Sequence, residues 1–215
     1  MTTVCFNLCG VVLDIRASLH ALACEESGLD IPAATFAGKE SVGMKFPLRS
    51  NENRLGVFQT RHWEAVKYGF FEHPDDFIAY GKFVPGAIRS AQIFVSHGMQ
   101  IALVSGVKRL DEGLLREFLR ENKFPNTDAG RILTRGAESK VPWQSCCDIV
   151  VEDDLGPLKL LAETADRPHL FHFLPARTSV GGECEIETSM DSRIMSGRGF
   201  EEAEPYILQF AGVQA

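Results

Sequence analysis

The chain has 215 residues, 45% of them hydrophobic and 24% charged, with a formal net charge of −7. That balance excludes a disordered chain, and an acidic chain without a Lys/Arg run excludes broad nucleic-acid binding while leaving room for a small phosphorylated ligand. No apolar run approaches the ~20 residues of a membrane helix. The first apolar stretch, Val4 to Leu13, is short and broken by Asn7 and Gly10, unlike a signal peptide. The six cysteines (Cys5, Cys9, Cys24, Cys146, Cys147 and Cys184) match no zinc spacing, so reduced thiols in a cytoplasmic protein are expected.

Thr3 to Leu8 reads as a short buried strand, polar only at its end and broken by Gly10. Helical spacing follows over Ile15 to Ser27, with Leu19, Leu22 and Ala23 on one side. The stretch from Gly28 to Asn53 has no clear period. Helical spacing returns over Val57 to Tyr68, and a short helix is predicted over Pro74 to Tyr80. Pro85 suits the start of a helix that runs to Ser96 and ends at His97-Gly98. Gln100 to Ser105 is a predicted strand, Leu110 to Glu121 an amphipathic helix, and Arg131 to Thr134 a short strand. Asp148 to Val151 is a fourth strand, Pro157 to Ala165 a helix, and His169 to Leu174 a last strand. Thr178 to Ser196 reads as irregular, and Phe200 to Phe210 closes the chain as a helix.

Strands alternating with helices predict an α/β fold, a Rossmann-like parallel sheet with helices on both faces. The mostly helical stretch 15–80 interrupts this order directly after the first strand. It reads as a small helical cap inserted into a core made of 1–14 and 81–215. Ligands of such sheets sit at the carboxyl ends of the strands. The polar residues fall there: Asn7 and Cys9 after the first strand, Ser105 after the second, Asp153 and Asp154 after the fourth.

A phosphomonoester site needs a nucleophile, an acid for the leaving oxygen and positive charge for the phosphoryl oxygens. Ser105 and the N–H groups of Gly10 and Gly106 can donate to a phosphate. Lys140 is a cation in a loop between strands, and the adjacent acids Asp153 and Asp154 suit a hard cation. His169 and His172 lie three apart on a strand, so they face opposite sides and are read as structural. Phe70 and Phe71 are read as core packing near the cap–core joint, and Arg177 falls just past the last strand.

The run Val4-Cys5-Phe6-Asn7-Leu8-Cys9-Gly10-Val11-Val12-Leu13-Asp14 resembles the first motif of the haloacid dehalogenase superfamily, Asp-x-Asp-Gly-Val/Thr after an apolar strand. Ser105, Lys140 and Glu152-Asp153-Asp154 resemble its second, third and fourth motifs, in order. A narrower resemblance, to the 5'(3')-deoxyribonucleotidases, is carried by Gly69-Phe70-Phe71, Val84-Pro85-Gly86-Ala87, Arg131-Ile132-Leu133-Thr134-Arg135 and Val150-Val151-Glu152-Asp153-Asp154. The tail from Arg193 to Leu208 is similar to the closing helix of that family. The resemblance implies a phosphate held by Ser105, Gly106 and Lys140, a Mg2+ ion near Asn7, Asp153 and Asp154, and a ligand such as a nucleoside monophosphate.

The chain departs from that pattern at its two reactive positions. Asn7 stands where the family has its nucleophilic aspartate, and Cys9 where it has its acid/base aspartate. A neutral carboxamide cannot form an aspartyl-phosphate, and losing a carboxylate weakens Mg2+ binding. A thiol, with a pKa of ~8.5, poorly matches proton transfer to an alkoxide. The expectation is a catalytically inactive or impaired nucleotidase-like protein that retains a phosphate or nucleotide pocket. Two alternatives are a phosphohydrolase with altered chemistry, using Cys9 or a metal-bound water, and a non-enzymatic interaction subunit.

Overall fold

The computed structural model describes residues 1–28, 30, 70, 73–105, 111–125, 131–134, 140–174 and 191–213. The chain divides into two compact units. All described strands belong to the first: β1 (Thr3–Asn7), β2 (Gln100–Ser105), β3 (Arg131–Thr134), β4 (Ile149–Glu152), β5 (His169–Leu174) and β6 (Ile194–Arg198). They form one sheet in the order β3-β2-β1-β4-β5-β6, and every pairing is parallel. Val4, Cys5 and Phe6 of β1 and Ile149, Val150 and Val151 of β4 are buried. Such continuous burial is what a parallel sheet covered on both faces imposes, and it explains the near-unbroken apolar runs.

The chain starts in the middle of the sheet, builds outward through β2 and β3, then returns to the other side of β1 for β4, β5 and β6. The carboxyl ends of the strands at such a reversal, here β1 and β4, are where open parallel sheets bind ligands. Register decides which residues meet there. Asn7 pairs with Val104, so Ser105 follows one residue on, and Phe6 pairs with Val151, so Glu152 and Asp153 end beside Asn7.

The helices of this unit are α3 (Ala87–Ser96), α4 (Glu112–Glu121), α5 (Val141–Gln144), α6 (Leu155–Thr164) and α7 (Gly199–Phe210). Asp111 caps α4 by accepting from the Leu114 N–H at 2.8 Å. Its apolar stripe, Leu114, Leu115, Phe118 and Leu119, is buried, and Phe118 stacks on Phe83 at 5.3 Å between centroids. Helix α3 starts at Ala87 rather than Pro85. Gly86, the residue before it, has φ +86°, outside the helical region. Phe6 packs against Phe94 of α3 and Phe200 of α7, both at 6.0 Å, tying β1 to helices on the sheet.

Strand β6 corrects the expectation that 178–196 is irregular throughout. Ile-Met-Ser-Gly-Arg mixes apolar and small polar residues, and Met195 is half exposed, because β6 lies at the sheet edge with one neighbour. An edge strand needs no continuous apolar run. Helix α5, four residues long, was also not anticipated.

The described residues of the second unit fall within Asp14–Lys82. They include α1 (Ile15–Ser27) and α2 (Pro74–Tyr80). Asp14 caps α1 by accepting from the Ala17 N–H at 3.0 Å, and Gly28 ends it in the left-handed conformation. Ser18 Oγ donates to the Asp14 carbonyl and accepts from the Lys82 N–H, holding the two ends of the segment together. Phe70 and Phe77 pack ring to ring at 5.3 Å within this unit. The predicted helix over Val57 to Tyr68 and the residues Phe71, Gly106 and Arg177 lie outside the described residues. No helix among the described residues is long and apolar enough to cross a membrane.

Candidate functional site

The site begins with the sharp turn after β1. Leu8–Val12 closes with the Leu13 N–H donating to the Leu8 carbonyl at 2.8 Å, while Cys9 is extended and Gly10 has φ +104°. Two constraints require glycine at position 10. The left-handed φ disfavours any Cβ. A Cβ there would also stand 2.0 Å from Asp153 Oδ2. The turn backbone and the Asp153 carboxylate are therefore in direct contact.

Asn7, 6% exposed, faces this carboxylate. Its Nδ2 donates to Asp153 Oδ1 at 2.6 Å and to the Cys9 carbonyl at 2.8 Å. Both partners are acceptors, so the orientation of the amide follows from the contacts: N–H2 toward Asp153 and Cys9, oxygen away. That oxygen, Asn7 Oδ1, is buried without a hydrogen-bond partner.

Cys9 Sγ lies 3.7 Å from Ser105 Oγ. Ser105 is buried at the end of β2. Desolvation pushes the Cys9 thiol up to about 12; the Ser105 contact opposes this and the nearby Asp153 charge adds to it. A thiol that keeps its proton at neutral pH is the opposite of an activated nucleophile.

Lys140 lies between β3 and β4. It immediately precedes α5 and is buried, with its Nζ 2.8 Å from Glu152 Oε2. Gln144 Nε2, on α5, donates to the same Glu152 oxygen at 2.9 Å. Glu152 is the charged group that sequence reasoning passed over, although it interrupts the apolar β4 run just before the two aspartates. Nothing local marked Gln144. Burial lifts the Glu152 carboxyl to about 8, against the pull of Lys140, with the Asp153 charge adding to the rise.

This shift sets a pH dependence. Unfolded Glu152 releases its proton near 4.5, while the folded protein holds it to about 8. The folded state binds more protons between those values. The stabilisation from protonated Glu152 is thus complete below about pH 4.5 and is lost as pH rises toward 8. Glu152→Gln is expected to flatten the urea midpoint across this window relative to the unsubstituted chain. A midpoint for the unsubstituted chain that climbs with pH across the window, and climbs less in Glu152→Gln, would refute the assignment.

Asp154 serves the fold. Its side chain accepts from the Gly156 N–H at 2.8 Å and caps α6. His172 is buried on β5, in register with Glu152, whereas His169 is exposed and packs on Phe210. The structure thus brings Asn7, Cys9, Ser105, Lys140 and Asp153 to one end of the sheet and adds Glu152 and Gln144.

The fit to Mg2+ follows from the donors. Such an ion takes oxygen ligands and relies on carboxylates. Here the oxygens of Cys9 and Asp153 already receive N–H groups from Asn7, and Asp154 is engaged at a helix end. Among the described residues no three His, Cys, Asp or Glu side chains cluster as a metal site. The residues present do not fit the ion.

No protein-family model and no curated protein matches the chain. Solved structures do. A HAD family hydrolase from Deinococcus radiodurans R1, with bound phosphate and sodium, superposes with a TM-score of 0.58 at 16% identity, over 100% of this chain and 98% of that one. This is the haloacid dehalogenase fold. A HAD-superfamily hydrolase from Ehrlichia chaffeensis gives 0.51 at 11% identity over 98% and 99% of the chains. Protein Tyrosine Kinase A of Mycobacterium tuberculosis gives 0.56 at 12% over 96% and 97%. A hydrolase and a kinase that both superpose on this chain illustrate that chemistry belongs to the site and not to the fold.

Proposed function

We propose that this chain binds a phosphomonoester, of the nucleoside monophosphate class, at the carboxyl ends of β1, β2 and β4, and does not hydrolyse it through an aspartyl-phosphate. The observation that carries the proposal is the state of Asn7. Its carboxamide is neutral and bound to Asp153 and Cys9, so the group in the nucleophile position has no carboxylate oxygen to attack phosphorus. Cys9, in the acid/base position, has its thiol pushed far above neutral pH, a poor match for a group that must give up and take back a proton there. Anion-holding groups remain: the Ser105 hydroxyl and the Lys140 ammonium. The phosphate bound to the D. radiodurans protein, and the resemblance of residues 131–135 and 150–154 to deoxyribonucleotidases, support the ligand class.

The test has two arms. Deoxynucleoside monophosphates incubated with Mg2+ are expected to release no phosphate. The same nucleotides at about 100 times Kd are expected to stabilise the chain by about 2.7 kcal/mol, a rise of roughly 5–10 °C in Tm for a chain of this length. Magnesium-dependent phosphate release abolished by Asp153→Asn would overturn the non-hydrolytic half. An unchanged Tm with every monophosphate and with inorganic phosphate would overturn the binding half and leave the interaction-subunit alternative.

A further inference from the structure

We propose that the Asn7 carboxamide takes the place of a divalent cation in this centre, so that the site works without metal. The inference concerns the same site as the function proposed above and rests on that reading only for the anion; the cation question stands by itself.

Start from the oxygens. The Cys9 carbonyl and the solvent-exposed Asp153 carboxylate converge on the Asn7 side chain, and two oxygens facing one point repel each other unless something positive sits between them. A metal ion is one solution. An N–H2 group, whose two hydrogens carry partial positive charge, is another. The structure holds the second: Asn7 Nδ2 lies 2.8 Å from the Cys9 oxygen and 2.6 Å from Asp153 Oδ1.

The orientation is enforced. Turning the amide over would set Asn7 Oδ1 against two other oxygens, and only a cation would relieve that repulsion. In the present orientation Oδ1 is buried without a donor. An unmade hydrogen bond of this kind costs about 1–3 kcal/mol, so the two N–H bonds, one of them to a charged group, outweigh it. Asp153 can sit this close to the turn because residue 10 is glycine, since even a methyl would collide with its carboxylate.

A divalent ion entering here would break both hydrogen bonds donated by Asn7, turn its amide over, and find one carboxylate in place of two. Its attraction is weakened and its cost of entry is raised. An anion would then meet the Ser105 hydroxyl and the Lys140 ammonium and no metal.

The experiment uses the whole chain. Mn2+ is titrated into it and followed by electron paramagnetic resonance, and Tm is recorded with Mg2+, with EDTA, and with inorganic phosphate under both conditions. The expected results are no Mn2+ binding at micromolar concentration, no Tm response to millimolar Mg2+, and a phosphate response unchanged by EDTA. Asn7→Asp, which sets a second carboxylate against Asp153, is expected to lower Tm in EDTA and to regain it with Mg2+. Tight Mn2+ binding that disappears in Asp153→Asn would overturn the proposal, as would an Asn7→Asp variant indifferent to Mg2+. Should that variant not fold, the Mn2+ titration of the unsubstituted chain still decides. A chain blind to phosphate in every condition would count against the binding function, while the Mn2+ and Asn7→Asp results would still judge the cation proposal.

Discussion

Asn7→Asp combined with Cys9→Asp is expected to turn this chain into a magnesium-dependent phosphatase acting on nucleoside monophosphates. Each change restores a separate need. Aspartate at position 7 supplies the carboxylate oxygen that attacks phosphorus and the second charge that makes a cation favourable beside Asp153. Aspartate at position 9 supplies the acid for the leaving oxygen. The desolvation that lifts the Cys9 thiol to about 12 acts on any acid placed there. A carboxyl at this position would keep its proton above the usual aspartate range, as a general acid requires. General acid–base catalysis contributes roughly 10²- to 10⁴-fold. The double variant should therefore exceed Asn7→Asp alone by about that factor in kcat, with Cys9→Asp alone at background. A colorimetric phosphate assay with and without EDTA measures it. A folded, metal-binding double variant with no turnover would mean that the pocket has lost more than its two reactive residues.

Gly10→Ala is the second large effect, and it acts on stability. The substitution forces a side chain to φ +104° and places a methyl carbon 2.0 Å from Asp153 Oδ2. The backbone strain costs about 1–3 kcal/mol. Relieving the overlap means moving Asp153 and breaking its bond from Asn7, for a total of about 3–5 kcal/mol. For a chain of this length that is a fall in Tm on the order of 10 °C. The two contributions can be separated. All three contacting atoms belong to the Asp153 carboxyl group, so Asp153→Ala removes the collision and leaves the strain. Gly10→Ala is thus expected to cost only the strain, about 1–3 kcal/mol, in an Asp153→Ala background. Equal costs in both backgrounds would show that the turn and Asp153 do not press on each other.

Both effects concentrate on a few atoms, and the sequence foretold them unevenly. Asn7 and Cys9 were legible because a strand followed by a glycine turn has a strong local pattern, in which two missing aspartates stand out. Ser105 and Asp153 were legible because parallel strands read as apolar runs and their ends are marked by the first polar residue. Glu152 escaped because one charge beside two aspartates reads as part of an acidic cluster, not as the buried partner of Lys140 twelve residues earlier. Asp154 could be read as metal ligand or helix cap, and the position of Gly156 made it a cap. Strand β6 escaped because an edge position relaxes the apolar pattern that reveals its neighbours.

By itself the sequence determined the alternation of strands and helices, the parallel sheet they imply, and the absence of carboxylates at positions 7 and 9. These are local properties, written in periodicity and residue type. The tertiary structure alone decided which way the Asn7 amide turns and what it touches. An asparagine carries a donor and an acceptor of nearly equal shape, so its role is set by the groups around it. One of those groups is two residues away and the other is 146 residues away. Sheet register brings them together, and so makes a residue that looks only like a lost nucleophile into the group that joins the turn after β1 to Asp153.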